Sequence, residues 1–502
     1  RMDKMSANAV QVKQLSGELG VAFGTSGVRG LVKDLTPALC FAFVRSFLQT
    51  VCPSATRVAI GMDLRPSSPE IAKACLLAVE SFGANAVFCG ALPTPALAFY
   101  AMQNNMPAVM ITGSHIPFDR NGIKFYRPDG EISKADETSI MNGLVEVPEF
   151  VSEQVAKFAL PTVDHSAIEL FKRRYQSLFP STMLQGKRIG VYEHSSVARD
   201  VIKTLLAHFG AEVISLERTE TFVPIDTEAV SEEDVQKGLK WSKEHKLDAI
   251  ISTDGDGDRP LIANEKGEWL RGDILGVLCA GYLQATHVAA PVNVNTVLEL
   301  RGTLQRPERI SLRTRIGSPY VIAGMEALLQ EAPNARVVGY EANGGFLVGA
   351  DFVVNGETLH ALPTRDSVLP ALIVLAMSFE QARPISQLTA EFPARFTASD
   401  RIKDIPTDVS KQLIADIKAS KAKQTELLSV IAQQNEVLEV VSTDETDGLR
   451  MTLSNGDIVH LRPSGNAPEL RCYVESEDRT KSSASAPLVL KKIHDLNDIS
   501  SL

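Results

Sequence analysis

The stretch RVAIGMD at 57–63, with its echo KRIGVYE at 187–193, decides the fold. Each reads as a short buried strand leading into a helical stretch. About 20 residues later each reaches the same tripeptide and a second strand, FGANAVFCG from Phe82 and FGAEVISLE from Phe209. That spacing is the length of a crossover helix joining two parallel strands. Two α/β domains of similar build are expected. A third is expected from the apolar helix-like stretch between Asp273 and Gln284, the strand-like VVGYE at 337–341 and the apolar run near 370. After roughly residue 385 the texture changes to charged helical patterns (DVSKQLIADIKASKAKQTELLSVIAQQ, 408–434). Short alternating strands follow (LRMTLSNGDIVHLRP, 449–463), the pattern of a separate α+β domain. The expected units are 1–160, 161–271, 272–385 and 386–502. No low-complexity linker separates them, so they are expected to pack closely and share a cleft.

A chain of 502 residues is too long for one hydrophobic core, which agrees with several domains. With 44% hydrophobic and 22% charged residues it has an ordinary globular composition. A formal net charge of -10 argues against nucleic acid or an anionic membrane as partner, but not against a small phosphate ester held by a few arginines in one cleft. The six cysteines form no CxxC pair or zinc-like spacing and read as buried small hydrophobes. The N-terminal stretch lacks the apolar run of a signal peptide, and VLPALIVLAM (368–377) is too short to span a bilayer. A cytoplasmic protein, monomeric or homodimeric, is expected.

Four loops carry candidate chemistry. TGSHIPFDRNGIKFY (112–126) follows the strand-like PAVMI, so Ser114 falls where the carboxyl end of a strand meets a loop, the place where open parallel sheets bind ligands. Gly113 allows close approach to a ligand, His115 and Lys124 can neutralise a phosphate, and Ser114 supplies a hydroxyl able to carry one. In STDGDGDRP (252–260), Asp254, Asp256 and Asp258 alternate directly after a buried-strand pattern. Three crowded carboxylates repel one another, and a hard divalent cation, best Mg2+, resolves the repulsion. A calcium EF-hand loop would accept Glu265 at its twelfth position, but Arg259 stands where that loop needs Gly. In GYEANGGFLVG (339–349), Glu341 and Asn343 can bond vicinal hydroxyls around a turn that includes Gly344. In RPSGNAPELRCY (462–473), Arg462, Ser464, Gly465, Asn466 and Arg471 surround a tight turn that can hold a phosphate. GTSGVRG (24–30) adds Arg29 on a glycine-rich loop that does not match dinucleotide spacing.

In this order and spacing the loops resemble the α-D-phosphohexomutase family, which includes phosphoglucomutases, phosphomannomutases and phosphoglucosamine mutases, over nearly the whole chain. The resemblance implies three α/β domains of shared topology with mixed sheets, plus a smaller fourth domain, around a central cleft. It implies a phosphoserine at Ser114, a Mg2+ held by Ser114, Asp254, Asp256 and Asp258, and catalytic assistance from Lys124, Arg29 and His115. Sugar-phosphate contacts fall to Arg259, Glu341, Asn343, Gly344, Arg462, Ser464, Gly465, Asn466 and Arg471. The implied reaction interconverts mannose 6-phosphate and mannose 1-phosphate through a hexose 1,6-bisphosphate, with glucose phosphates or dual use as the alternative. An arginine is a poor base at its normal pKa, so Lys124 ranks ahead of Arg29 for proton transfer. The sequence departs from the family where some phosphomannomutases carry histidines and this chain has Gly345 and Ser318. A metal-dependent phosphatase using the same serine, or a silent sugar-phosphate sensor, is the rival reading; the loop order opposes the first, and the presence of Ser114 and the Asp triplet the second.

Overall fold

A computed structural model describes residues 9–300, 310–465 and 467–497. Its first large sheet contains β1 (Ala22–Phe23), β2 (Val28–Leu31), β3 (Arg57–Met62), β4 (Asn85–Ala91), β5 (Ala108–Ile111), β6 (Arg120–Arg127) and β7 (Gly130–Glu131). The helices α1 (Pro37–Thr50), α2 (Ser68–Phe82) and α3 (Thr94–Gln103) belong to the same unit. The hydroxyl of Thr36 caps α1 by accepting from Leu39 N, and Pro37 fills a first-turn position where no N–H is needed. The second unit has β8 (Arg188–His194), α4 (Arg199–His208), β9 (Glu212–Arg218), α5 (Glu232–His245), β10 (Ala249–Thr253) and β11 (Pro260–Ala263). The third has α6 (Gly272–Tyr282), β12 (His287–Pro291), β13 (Ile310–Thr314), α7 (Ser318–Glu331), β14 (Val337–Tyr340), β15 (Phe346–Val348), β16 (Leu362–Asp366) and α8 (Val368–Gln381).

One topology recurs in all three. The strand orders β4-β3-β5-β6, β9-β8-β10-β11 and β13-β12-β14-β15 are equivalent, with two parallel pairings and an antiparallel fourth strand. The FGA repeats mark the turns between α2 and β4 and between α4 and β9, so the spacing argument holds for the first two copies. The third strand of each copy, β5, β10 or β14, is buried along its whole length, as its apolar run requires in a sheet covered on both faces. The loop leaving each of these strands therefore emerges at the carboxyl edge of a parallel sheet. These three loops carry Ser114, the Asp triplet and Glu341.

The fourth unit is an antiparallel sheet in the order β17 (Phe396–Ile402), β21 (Leu470–Ser476), β20 (Ile458–Pro463), β19 (Leu449–Leu453), β18 (Val440–Asp444). It includes α9 (Thr407–Ala419), α10 (Lys421–Leu428) and α11 (Arg479–Asn497), and it encloses its own core of residues such as Ile405, Leu461, Val474 and Val489. One continuous apolar cluster instead runs through the first three units, from Leu97 through Phe171 and Ile251 to Phe346. The fourth unit meets the third along a polar seam: Thr296 donates from N and Oγ1 to Glu475 at 2.7 and 2.6 Å, Thr397 Oγ1 to Asp273 at 2.7 Å, and Ile316 N to Asp447 at 2.9 Å. All six cysteines are buried and unbridged. Among the described residues no helix is long and apolar enough to cross a membrane.

Candidate active site

Ser114 leaves β5 fully buried and in the left-handed region, with φ of 56°. That conformation is uncommon for a residue with a Cβ and costs about 1 kcal/mol or more, so the surroundings must hold it. Arg65 is the holder. Its Nη2 donates to the carbonyls of Ser114 (3.1 Å) and Ile116 (2.6 Å), and its Nη1 to those of Pro117 (2.6 Å) and Arg120 (3.0 Å). Its Nε donates to Asp63 at 3.2 Å, and its guanidinium lies 4.2 Å from the ring centroid of Phe222. A Cβ on Gly113 would fall 2.5 Å from the Arg65 Cζ, so that glycine makes room for Arg65 rather than for a ligand. The Ser114 hydroxyl donates to Asp254 Oδ2 at 3.2 Å and lies 3.4 Å from His115 Nδ1.

Each Asp of the triplet commits one carboxylate oxygen to the protein. Asp254 Oδ1 accepts from the N–H groups of Gly257 and Arg259 (3.1 and 3.2 Å), leaving Oδ2 toward Ser114. Asp256 Oδ2 accepts from Thr94 Oγ1 at 2.6 Å and Lys124 Nζ at 3.0 Å. Asp258 Oδ2 accepts from Lys124 Nζ at 3.1 Å and Arg365 Nε at 3.0 Å. The Oδ1 atoms of Asp256 and Asp258 are buried with no hydrogen-bond partner. One ligand atom from each of the three residues lies within 4.8 Å of the others. Burial and the charges of Asp258 and Asp256 push the Asp254 carboxyl well above the usual range. Against its own burial, Lys124, Arg365 and Arg259 hold Asp258 well below it. Buried, partnerless, crowded carboxylate oxygens fit a hard divalent cation. The EF-hand alternative has no support here, since Glu265 bonds Ser386 at 2.9 Å from its N and 2.5 Å from its Oγ.

His115 Nδ1 accepts from Arg259 Nη1 at 2.9 Å. Burial, then Arg259, Arg29 and Arg471, keep its pKa well below the ordinary value, so the ring is neutral. The expected charge neutralisation by His115 gives way to hydrogen bonding, with Nε2 as the protonated nitrogen. Lys124 and Arg29 also differ from their sequence ranking. The Lys124 ammonium is committed to two carboxylates, whereas the Arg29 guanidinium, on a strand paired through its backbone, has no hydrogen-bond or ion-pair partner among the described residues. Burial and the neighbouring charges of Arg259 and Arg365 bring the Arg29 guanidinium down to about 10.

In the third loop Glu341 N and Gly345 O bond at 3.1 Å, Gly344 N donates to Glu341 O at 3.0 Å, and Gly344 takes a φ of 91°, closing a tight turn. Glu341 Oε2 accepts from Arg365 Nη1 at 3.0 Å. Asn343 spends its Oδ1 on Gly345 N at 2.9 Å, leaving its amide N–H groups for a ligand. A side chain at 345 has no room, because a Cβ there would lie 2.5 Å from Arg365 Cδ; Ser318 points to Glu131 of the first unit at 3.3 Å. In the fourth loop Arg462 and Arg471 are cross-strand partners on β20 and β21. Arg462 Nε donates to Asp447 at 3.0 Å, and Arg471 Nη2 to Glu469 at 3.2 Å, while Arg471 Nε is buried without a partner. Ser464 N donates to Glu469 O at 2.9 Å, so this N–H is taken by the turn. Asn466 lies outside the described residues. The loop approaches the first unit: a Cβ on Gly465 would stand 3.4 Å from both Arg462 Nη2 and Thr25 Oγ1. Sequence reasoning missed Arg65, Arg365 and Asp447. Arg65 stands three residues beyond β3 and Arg365 is the penultimate residue of β16, a charge near the carboxyl edge of a sheet being the one signal that marks them.

A strand-end serine beside a carboxylate triplet, with glutamate-bearing and arginine-bearing loops from two further sheets, is the layout of an enzyme that moves phosphoryl groups on sugars. The chain belongs to the phosphoglucomutase/phosphomannomutase family: it matches that family's alpha/beta/alpha domain I over residues 20–148, domain II over 172–267, domain III over 271–396 and C-terminal domain over 408–486. It is a mutase. A phosphomannomutase of Salmonella muenchen is 48% identical over 94% of this chain and 96% of that one. A phosphomannomutase of Sinorhizobium fredii (strain NBRC 101917 / NGR234) is 45% identical over 92% and 96%. A putative phosphomannomutase from Thermus thermophilus, of solved structure, shares the fold with a TM-score of 0.73 at 19% identity, over 95% of this chain and 99% of that one.

Proposed function

We propose that the chain interconverts mannose 6-phosphate and mannose 1-phosphate in the cytoplasm, supplying nucleotide-sugar synthesis. Its partner is the sugar phosphate, not nucleic acid or membrane. The observation that carries the reading is the buried Ser114 hydroxyl bonded to Asp254 at the point where the three equivalent loops meet. The names of the two relatives above 40% identity support mannose as the hexose.

Phosphorylated Ser114 gives its phosphoryl group to the free hydroxyl of a bound hexose monophosphate. The serine O–P bond breaks, the sugar O–P bond forms, and the hydroxyl proton passes to Arg29 in its neutral form, which burial and its cationic neighbours make accessible by lowering its pKa to about 10, while Lys124 stays charged on Asp256 and Asp258 and neutralises the transferring group. The hexose 1,6-bisphosphate then turns around, and Ser114 takes back the other phosphoryl group as the isomeric monophosphate departs. Asp254, Asp256 and Asp258 would hold a Mg2+, which when bound neutralises charge on the phosphoryl oxygens. Arg259, His115 and Lys124 surround the transferring group, Glu341 and Asn343 receive sugar hydroxyls, and Arg462, Ser464 and Arg471 grip the phosphate that stays. Units spanning 1–160, 161–271, 272–385 and 386–502 would thereby divide the work.

Steady-state kinetics with the 1- and 6-phosphates of mannose, glucose and glucosamine test the assignment. The highest kcat/KM is expected for mannose phosphates, with glucose phosphates next. Ser114→Ala should lose several orders of magnitude in turnover while keeping its fold, and mass spectrometry should find phosphate on wild-type Ser114. Release of inorganic phosphate in place of isomer formation would replace the mutase reading with a phosphatase.

A further inference from the structure

Arg365 lies on β16, outside every loop that resembles a family motif, and only 4% of it is exposed. Its Nε and Nη2 both lie 3.0 Å from Asp258 Oδ2, its Nη1 lies 3.0 Å from Glu341 Oε2, and its Nη2 reaches Ser26 Oγ at 3.3 Å. Those partners come from the second, third and first units. Its path is open because residue 345 is glycine: a Cβ there would stand 2.5 Å from Arg365 Cδ and 2.7 Å from its Cγ, the inner and less movable part of the side chain. Gly345 does not occupy the left-handed region, so its missing side chain serves space rather than backbone conformation.

We infer that Arg365 is a positioning residue that couples the carboxylate triplet to the sugar loop, one rigid guanidinium setting Asp258 and Glu341 together. The inference rests on the reading above, which takes Asp258 as a cation ligand and Glu341 as a sugar contact. Because a planar fork fixes both carboxylates at once, a ligand that shifts one of them is felt at the other. Lys124 cannot substitute, since it is a point charge whose two contacts, Asp256 and Asp258, lie on the same loop. Such coupling is reciprocal: a sugar phosphate changes the affinity for Mg2+ by the factor by which Mg2+ changes that for the sugar phosphate.

Titration calorimetry of Mg2+ into Ser114→Ala protein, which loses the serine ligand but keeps the three aspartates, with and without saturating mannose 6-phosphate, measures that factor without turnover. Arg365→Lys keeps the charge and removes the fork; Gly345→Ala keeps Arg365 and displaces its stem. In Ser114→Ala alone the factor should be about fivefold or more, and adding either second substitution should bring it below about twofold. Thermal unfolding of both double variants checks that they are folded. A factor unchanged in both, or absent from Ser114→Ala, overturns the role of Arg365. If no hexose 6-phosphate binds Ser114→Ala, the proposed function fails instead. Mg2+ alone then decides for Arg365: a shift in affinity beyond about threefold in Arg365→Lys sustains its hold on Asp258, and equal affinity overturns it.

Discussion

Replacing Arg65 with Lys asks whether the serine loop is set by one buried guanidinium. Arg65 bonds four carbonyls between Ser114 and Arg120, as well as Asp63. A lysine has three donors on one atom and no fork, so it can replace one or two of those carbonyl bonds. A hydrogen bond from a charged donor contributes roughly 1.5–3 kcal/mol, and the loss of two or three amounts to about 3–9 kcal/mol. Ile116 is half-buried and Pro117–Arg120 are exposed, so their carbonyls regain water. That discount brings the net loss of loop stability to about 2–4 kcal/mol. Released from Arg65, Ser114 has less to keep it at φ 56°, and the loop relaxes toward ordinary backbone. The expected result for Arg65→Lys is faster hydrogen exchange in peptides covering 112–120, with kcat reduced about tenfold or more and KM moved much less. A variant with wild-type exchange in that loop and wild-type kcat would refute the argument.

Asp256→Asn removes one charge from the triplet and half of the Lys124 pairing, so Mg2+ affinity measured by calorimetry and kcat should fall together, with partial rescue at high Mg2+; full activity of wild-type protein after exhaustive chelation would contradict the cation site. Arg462→Ala and Arg471→Ala should each reduce kcat/KM by roughly tenfold to a hundredfold for both the 1-phosphate and the 6-phosphate, since either end can occupy the position distant from Ser114. Loss with only one isomer would show that the fourth unit does not grip the staying phosphate. His194, whose Nε2 donates to Thr253 O, is held neutral by burial with its pKa near 4. The unfolded chain binds this proton near pH 6.5, so the stability it contributes is present above that pH and is lost as pH falls toward 4, on the order of 3 kcal/mol by pH 4. Buried Asp63 and Asp366, raised in pKa chiefly by burial, act in the opposite sense. The measurement is therefore the difference in Tm between wild type and His194→Gln, which should shift in favour of the variant from pH 7 to 4.5; parallel curves would refute it.

What the sequence disclosed follows from what is local in it. Ser114, the Asp triplet and Glu341 stand on short loops after apolar runs, and both the run and the loop are contiguous in the chain, so strand, edge and chemistry could be read together. The first two sheets were legible because a complete crossover, strand to FGA to strand, lies within about 30 residues. The third copy was fainter because its first crossover carries only the short helix Val297–Leu300 among the described residues. The side chains that set the site were not legible, since their partners are distant: Arg65 meets carbonyls about 50 residues away, and Arg365 meets Asp258, 107 residues away, and Ser26, 339 residues away. Motif residues seen as free contacts proved partly engaged. Arg462 and Arg471 already face Asp447 and Glu469, and Asn343 supports its own turn. On the proposed function, a phosphate arriving there competes with carboxylates, which favours exchange of the ligand over permanent capture.

The thrice-repeated strand order bears on how such an enzyme diversifies. It reads as tandem copies of one unit that kept the address of the working loop, and on the proposed function those copies divide the tasks of nucleophile, cation site and hydroxyl contact among them. On the proposed function, which gives the sugar hydroxyls to the third copy, hexose preference can drift through changes around Glu341 and Gly345 while the serine and the aspartates of the other two copies stay fixed. Selection can retune which sugar is used without rebuilding the transfer chemistry.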